Sequence, residues 1–169
     1  MFWIAVFGLQ FSVFVRPIIA DELLIGDFQN GSFEDGDSEN PIGWTKVDLS
    51  AKPIAKFSFD EEVRYIKGRS ARIDYHGLDQ VFWLQKVKLE PGKTYRFTGL
   101  IRTDLKMGDS SSWARFEFWW ENENGDFIDP PLVSEKISGK MNWQERIWTG
   151  QPPEGAVVVD IRALMTGTW

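Results

Sequence analysis

"VKLEPGKTYRFTGLIRT", residues 87–103, is the stretch whose reading decides the fold. Apolar and polar residues alternate on both sides of Glu90-Pro91-Gly92-Lys93. Period-two alternation marks strands with one buried face. Proline presets one backbone dihedral and glycine frees the next, which is turn chemistry. Two strands flanking a turn are therefore expected, "QVFWLQKVKL" (80–89) and "TYRFTGLIRT" (94–103).

Working outward, the same grammar repeats. "WTKVDLS" (44–50), "IAKFSFD" (54–60) and "SARIDY" (70–75) precede the turn; "WARFEFWWE" (113–121), "WQERIWT" (143–149) and "AVVVDIRALM" (156–165) follow it. "NENGD" (122–126) and "PPEG" (152–155) punctuate them. Nothing from residue 21 onward reads as an amphipathic helix, and no internal repeat or low-complexity linker interrupts the chain. The expectation is all-β, a two-sheet antiparallel β-sandwich.

Alternation also assigns faces. Ala114, Phe116, Phe118 and Trp120 read as core, with Trp113, Arg115, Glu117, Trp119 and Glu121 opposite them. Tyr95, Phe97 and Ile101 point inward, Arg96, Thr98, Leu100 and Arg102 outward. Gln144, Arg146 and Trp148 share a face, and Trp148 has the same open-face pattern as Trp119. For Phe82 and Trp83 the pattern leaves open which one points inward. Aromatic rings beside Arg and Glu suit a sugar: its C–H face stacks on a flat ring and its hydroxyls bridge to charged side chains. The alternative for any one ring is ordinary packing under a loop or against a neighbouring strand.

Composition narrows the classes. The chain has 169 residues, enough for one core, and a formal charge of −6, which excludes the basic stripe a phosphate backbone wants. Its 9 Trp, 13 Phe and 3 Tyr exceed what one core needs, leaving rings for a ligand surface. With no Cys and one His, disulfides, thiol nucleophiles and histidine-based metal clusters are out. His76 has no Gly-x-Ser-x-Gly elbow to complete a triad.

The opening "MFWIAVFGLQFSVFVRPIIA" differs from everything after it. Its apolar run from Met1 to Val15 is too short to span a bilayer comfortably and has the length of a signal-peptide core, with Ala20 as a small residue for cleavage. Residues 1–20 are therefore expected to be a signal peptide or N-terminal apolar segment outside the fold. A domain over 21–169 follows, with no membrane span in the mature chain and a secreted or cell-surface location.

"NGSFE" (30–34), "GW" (43–44), "SARIDY" (70–75), "VKLEPGKTYRFTGLIRT" (87–103) and "PPEGAVVVDIRALMTGTW" (152–169) occur in one order. That order resembles the CenC-type carbohydrate-binding modules, the family 4/9 group, whose fold is a galactose-binding-like jelly roll. The resemblance covers nearly all of residues 22–169, and its most specific part is the strand, Pro-Gly-x-x-Tyr and strand ending in Arg. It implies a structural calcium with Glu34 as ligand. Family members continue past Gly-Thr-Trp with a strand of paired Asp residues, one of which completes that site. Ending at Trp169, the chain is expected to be a C-terminally truncated fragment that lacks the last strand and one metal ligand.

The acidic loop after Glu34 is no EF-hand, since counting from Asp35 puts Asn40 and Lys46 where Gly and Glu belong. It reads as a solvated turn holding Asp35, Asp37 and Glu39.

The functional expectation is a non-catalytic carbohydrate-binding module, an accessory part of a larger secreted glycoside hydrolase tethered to further domains. Arg102, Arg115, Glu117, Trp119 and Trp148 would contact a polysaccharide or oligosaccharide, with no nucleic-acid partner. The rivals are an enzyme with its own carboxylate pair and a structural or adhesive sandwich.

Overall fold

A computed structural model gives the fold and describes residues 9–15, 28–37, 41–64, 69–105 and 111–167. The strands are β1 (Leu9–Val15), β2 (Thr45–Asp48), β3 (Lys56–Asp60), β4 (Ser70–Asp74), β5 (Gly77–Lys88), β6 (Tyr95–Asp104), β7 (Trp113–Glu121), β8 (Phe127–Val133), β9 (Lys140–Gly150) and β10 (Val158–Gly167). There is no helix among the described residues. Two five-stranded sheets result, ordered β3-β4-β1-β6-β9 and β2-β5-β10-β7-β8, and every pairing is antiparallel. The sandwich expected from alternation is present.

The Pro91-Gly92 turn is not a hairpin. It carries the chain from β5 in the second sheet to β6 in the first, with Gly92 at φ 74° and the Tyr95 hydroxyl accepting the N–H of Glu90 at 2.7 Å. Strands either side of the turn thus face each other across the core, so both present large apolar side chains inward: Val81 and Trp83 from β5, Phe97 and Ile101 from β6. Trp83 points in and is fully buried. Gly99 on β6 exists for the opposite sheet: a Cβ there would lie 2.3 Å from Cε2 of Phe116 on β7. Bare backbone at Gly99 lets that ring span the interior.

Two strands depart from the sequence reading. Residues 1–20 were expected outside the fold, yet Leu9–Val15 forms β1, paired from Leu9↔Ile73 to Phe11↔Ala71 on one side and from Leu9↔Thr103 to Val15↔Phe97 on the other. The physical reason lies in "LQFSVFV", which is rich in β-branched and aromatic residues and interrupted by Gln10 and Ser12. It also satisfies the backbone groups that β4 and β6 would otherwise present to each other unpaired. Residues 1–8 and 16–20 lie outside the described residues. The other departure, β8, contains Pro130 and Pro131, with a cis bond between Asp129 and Pro130. Proline hides a strand from pattern reading, and β8 tolerates it because it is an edge strand.

The stretch from Asn30 to Trp44 is a stitched turn. The Asn30 side chain donates to the carbonyls of Asp35 (2.6 Å) and Ile42 (3.2 Å) and accepts the Asp35 N–H (2.9 Å). Trp44 Nε1 donates to the Asn30 carbonyl at 3.1 Å, and Phe33, fully buried, packs 4.8 Å from the Trp44 ring. Buried Gln85 holds the incoming segment by exchanging two hydrogen bonds with the Gln29 backbone, at 2.8 and 2.9 Å.

Candidate functional site

Odd residues of β7 from Trp113 to Glu121 line the outer face of the second sheet, because even residues Ala114, Phe116, Phe118 and Trp120 belong to the core. Register then sets their neighbours. On β10, Arg162 lies opposite Glu117 and Leu84, Asp160 opposite Trp119 and Lys86, and Leu164 opposite Arg115 and Phe82. Side chains directly across or diagonal to one another on one face are in reach.

Glu117 organises this face. It is only 2% exposed, although it points away from the core. One of its oxygens accepts from Arg115 Nε at 2.8 Å, and the other accepts from Trp119 Nε1 at 2.9 Å. One carboxylate therefore fixes a guanidinium and an indole ring. Trp119 is further held by the Phe127 ring at 5.4 Å, nearly perpendicular, and by the Arg162 guanidinium 4.7 Å from its centroid. That guanidinium also sits 5.1 Å from Phe82 and 5.5 Å from Phe127. Trp113, at the other end of β7, is covered by Arg115 at 4.7 Å and Lys136 at 4.2 Å. Both outer tryptophans are thus cation-covered and half-buried rather than bare platforms.

A second ionic group adjoins. Lys86 Nζ reaches Glu121 at 2.5 Å and Asp160 at 3.5 Å. Burial, and then the charge of Glu121, push the Asp160 carboxyl above the ordinary aspartate range, against the pull of Lys86 and Arg162. Lys86 is raised in turn, chiefly by its hydrogen bond to Glu121.

Of the expected sugar contacts, Arg115, Glu117 and Trp119 come together here. Arg102 does not. It lies on β6, on the outer face of the first sheet, while its neighbours Ile101 and Thr103 point inward, so the whole sandwich separates it from Glu117. Trp148 does not either. On edge strand β9 it lies opposite inward-facing Phe97, stacks on that ring at 5.3 Å and lies 5.6 Å from Trp120. It lines a crevice on the open side of the sandwich, between β8 and β9. Its alternation was read correctly; which side of its strand was the outer one was not.

Pattern reading missed Phe127, Arg162, Phe82 and Asp160. Phe127 is 48% exposed and begins the proline-bearing strand. The signal for Arg162 and Asp160 was the pair of charged residues two apart in "VVVDIRALM", which places both on one face.

Glu34, expected as a calcium ligand, is tied to Arg69. Its Oε1 accepts the Arg69 N–H at 2.7 Å, and its backbone carbonyl accepts from the Arg69 guanidinium. Among the described residues no three His, Cys, Asp or Glu side chains converge as a cation site. Glu39 lies outside the described residues.

No protein-family model matches the chain, and no curated protein matches it. Solved structures do. The enzymatically active domain of tailspike protein 4 from bacteriophage CBA120 superposes with a TM-score of 0.66 at 14% identity, over 84% of this chain and 19% of that one. The CBM22-1 xylan-binding domain of Paenibacillus barcinonensis Xyn10C gives a TM-score of 0.49 at 14% identity, over 79% of this chain and 86% of that one. This chain spans about a fifth of the tailspike's length, and at such identity the likeness to it is one of fold.

Proposed function

We propose that the chain is a non-catalytic module that holds polysaccharide against the outer face of its second sheet, as an extracellular part of a larger glycan-active protein. The observation that carries the reading is Glu117, a buried carboxylate on the outward side of a strand. Desolvating a charge there costs stability that an apolar pair would not. What the arrangement gains is a guanidinium and an indole held in fixed orientation, which is what a sugar needs from its receptor. The exposed Phe127 beside Trp119 offers the apolar surface for a pyranose C–H face, and Arg115 offers hydrogen bonds to hydroxyls.

Affinity is modest, because each sugar hydroxyl exchanges water hydrogen bonds for protein ones. Micromolar to millimolar dissociation constants, about −8 to −4 kcal/mol, are the expected range. The enzyme reading draws on Asp160, whose raised pKa beside Glu121 is the setting of a general acid.

Affinity electrophoresis of the full chain through gels containing β-glucan or xylan, with a reducing-sugar assay beside it, separates the readings. Retardation without released reducing ends is expected, weakened by Phe127→Ala and unchanged by Arg102→Ala on the opposite face. Released reducing ends that Asp160→Asn abolishes would establish the enzyme instead. Absence of retardation by a broad glycan panel would leave a structural sandwich.

A further inference from the structure

We infer that this face selects acidic polysaccharide, with Arg162 as the fork for a uronate carboxylate; the inference rests on the glycan-binding reading. Although the chain carries a charge of −6, the surroundings of Trp113 and Trp119 hold Lys86, Arg115, Lys136 and Arg162 against Glu117, Glu121 and Asp160. Glu117 is engaged by Arg115 and the Trp119 indole and Glu121 by Lys86, while Asp160 has longer contacts, Oδ1 to Lys86 at 3.5 Å and Oδ2 to Arg162 at 3.4 Å.

Arg162 is under-used by comparison. Its Nη2 reaches Asp160 only at 3.4 Å, and its Nε is buried without a hydrogen-bond partner. Three aromatic rings within 5.5 Å hold the guanidinium plane but accept no conventional hydrogen bonds from it. Phe82, Trp119 and Phe127 thus orient a cation whose donors remain largely unspent. Because Nε is buried, a carboxylate would pair end-on with the two Nη groups, through two parallel N–H···O bonds. Arg162 and Arg115 are diagonal neighbours either side of Glu117, so a second anionic or hydroxyl group along the same glycan has a donor in reach.

The test compares polygalacturonate and alginate with neutral β-glucan and xylan, in EDTA, with dextran sulfate as a polyanion lacking carboxylates. The full chain should bind an acidic glycan at least about tenfold more tightly than the neutral ones, the worth of one well-made charge-assisted hydrogen bond. Dextran sulfate should bind more weakly than the uronates. Arg162→Gln should abolish the preference. Arg162→Lys keeps the charge but loses the fork, and should reduce uronate binding about tenfold more than it reduces neutral-glycan binding. If Arg162→Gln does not fold, as judged by thermal melting, Arg162→Lys decides. Neutral glycans binding as well as uronates would overturn this inference and leave the glycan-binding reading standing. Binding of dextran sulfate equal to uronate, or unaltered uronate binding by Arg162→Lys, would also overturn it. Failure of all these glycans to bind would overturn both.

Discussion

The outer faces of the two sheets come from strands that read alike, yet they are built differently. On the first sheet, Arg72 on β4 reaches Asp60 on β3 at 3.1 Å and Asp74 at 2.9 Å, a cation clasped by two carboxylates. On the second sheet, charge and aromatic alternate, and Glu117 is buried to hold both. Both ion pairs are shielded from water, and a shielded pair costs stability unless its lone pairs are satisfied. The second face ties an indole ring to its buried carboxylate, and that difference makes it the candidate site.

The sheets also differ in what fills their centres: β1, from the first twenty residues, and β10, from the end of the described chain. Deleting residues 1–20 should have the largest effect of all. Without β1 the facing edges of β4 and β6 lose their partner, and cooperative unfolding followed by circular dichroism should vanish. A soluble 21–169 chain that melts like the full one would show β1 dispensable and return those residues to the leader reading.

Glu117→Ala comes next. It strands Arg115 and the Trp119 indole, and should cost about 3–5 kcal/mol in urea denaturation. A loss near that of a surface pair would mean Glu117 is no more desolvated than an exposed carboxylate. The two tryptophans then separate the site from the core. Trp148→Ala removes a ring packed on Phe97 and Trp120 and should destabilise by roughly 3 kcal/mol, with glycan retardation of the folded fraction unchanged. Trp119→Ala should do the reverse, weakening retardation more than it lowers the melting temperature.

A smaller effect concerns Asp160. Its carboxyl is held above the ordinary range, so the folded state favours the protonated form. The stability tied to it is complete below the unfolded-state pKa and is lost as pH rises through the folded one. Asp160→Asn should therefore melt higher than the parent at neutral pH, with the gap closing on acidification. A gap that widens on acidification would reverse the assignment. The smallest effect should come from the exposed Lys140–Asp104 pair on the first sheet, 3.2 Å apart: Asp104→Asn should change stability by less than about 1 kcal/mol.

Much of this architecture could be read from the chain. Alternation named the inward residues of β6 and β7, and the Pro91-Gly92 turn separated two strands as expected. The resemblance quoted "NGSFE" and "GW" as separate motifs; the structure joins Asn30, Phe33 and Trp44 through their contacts. Three of the five expected sugar contacts share a face for the same reason: residues two apart on one strand cannot do otherwise. Arg102 and Trp148 lie away from that face because they sit on other strands, and period-two alternation says nothing about which sheet a strand joins.

What the sequence by itself determined is local: strands, turns, and the two sides of each strand, all set by short-range sterics and burial. The tertiary structure alone decided that β5 and β6 face each other across the core, that "LQFSVFV" fills the gap between β4 and β6, and that Arg162 meets Trp119, Phe82 and Phe127. Those contacts join residues far apart in the chain. Their register depends on all ten strands packing at once, a condition that no single strand's pattern contains.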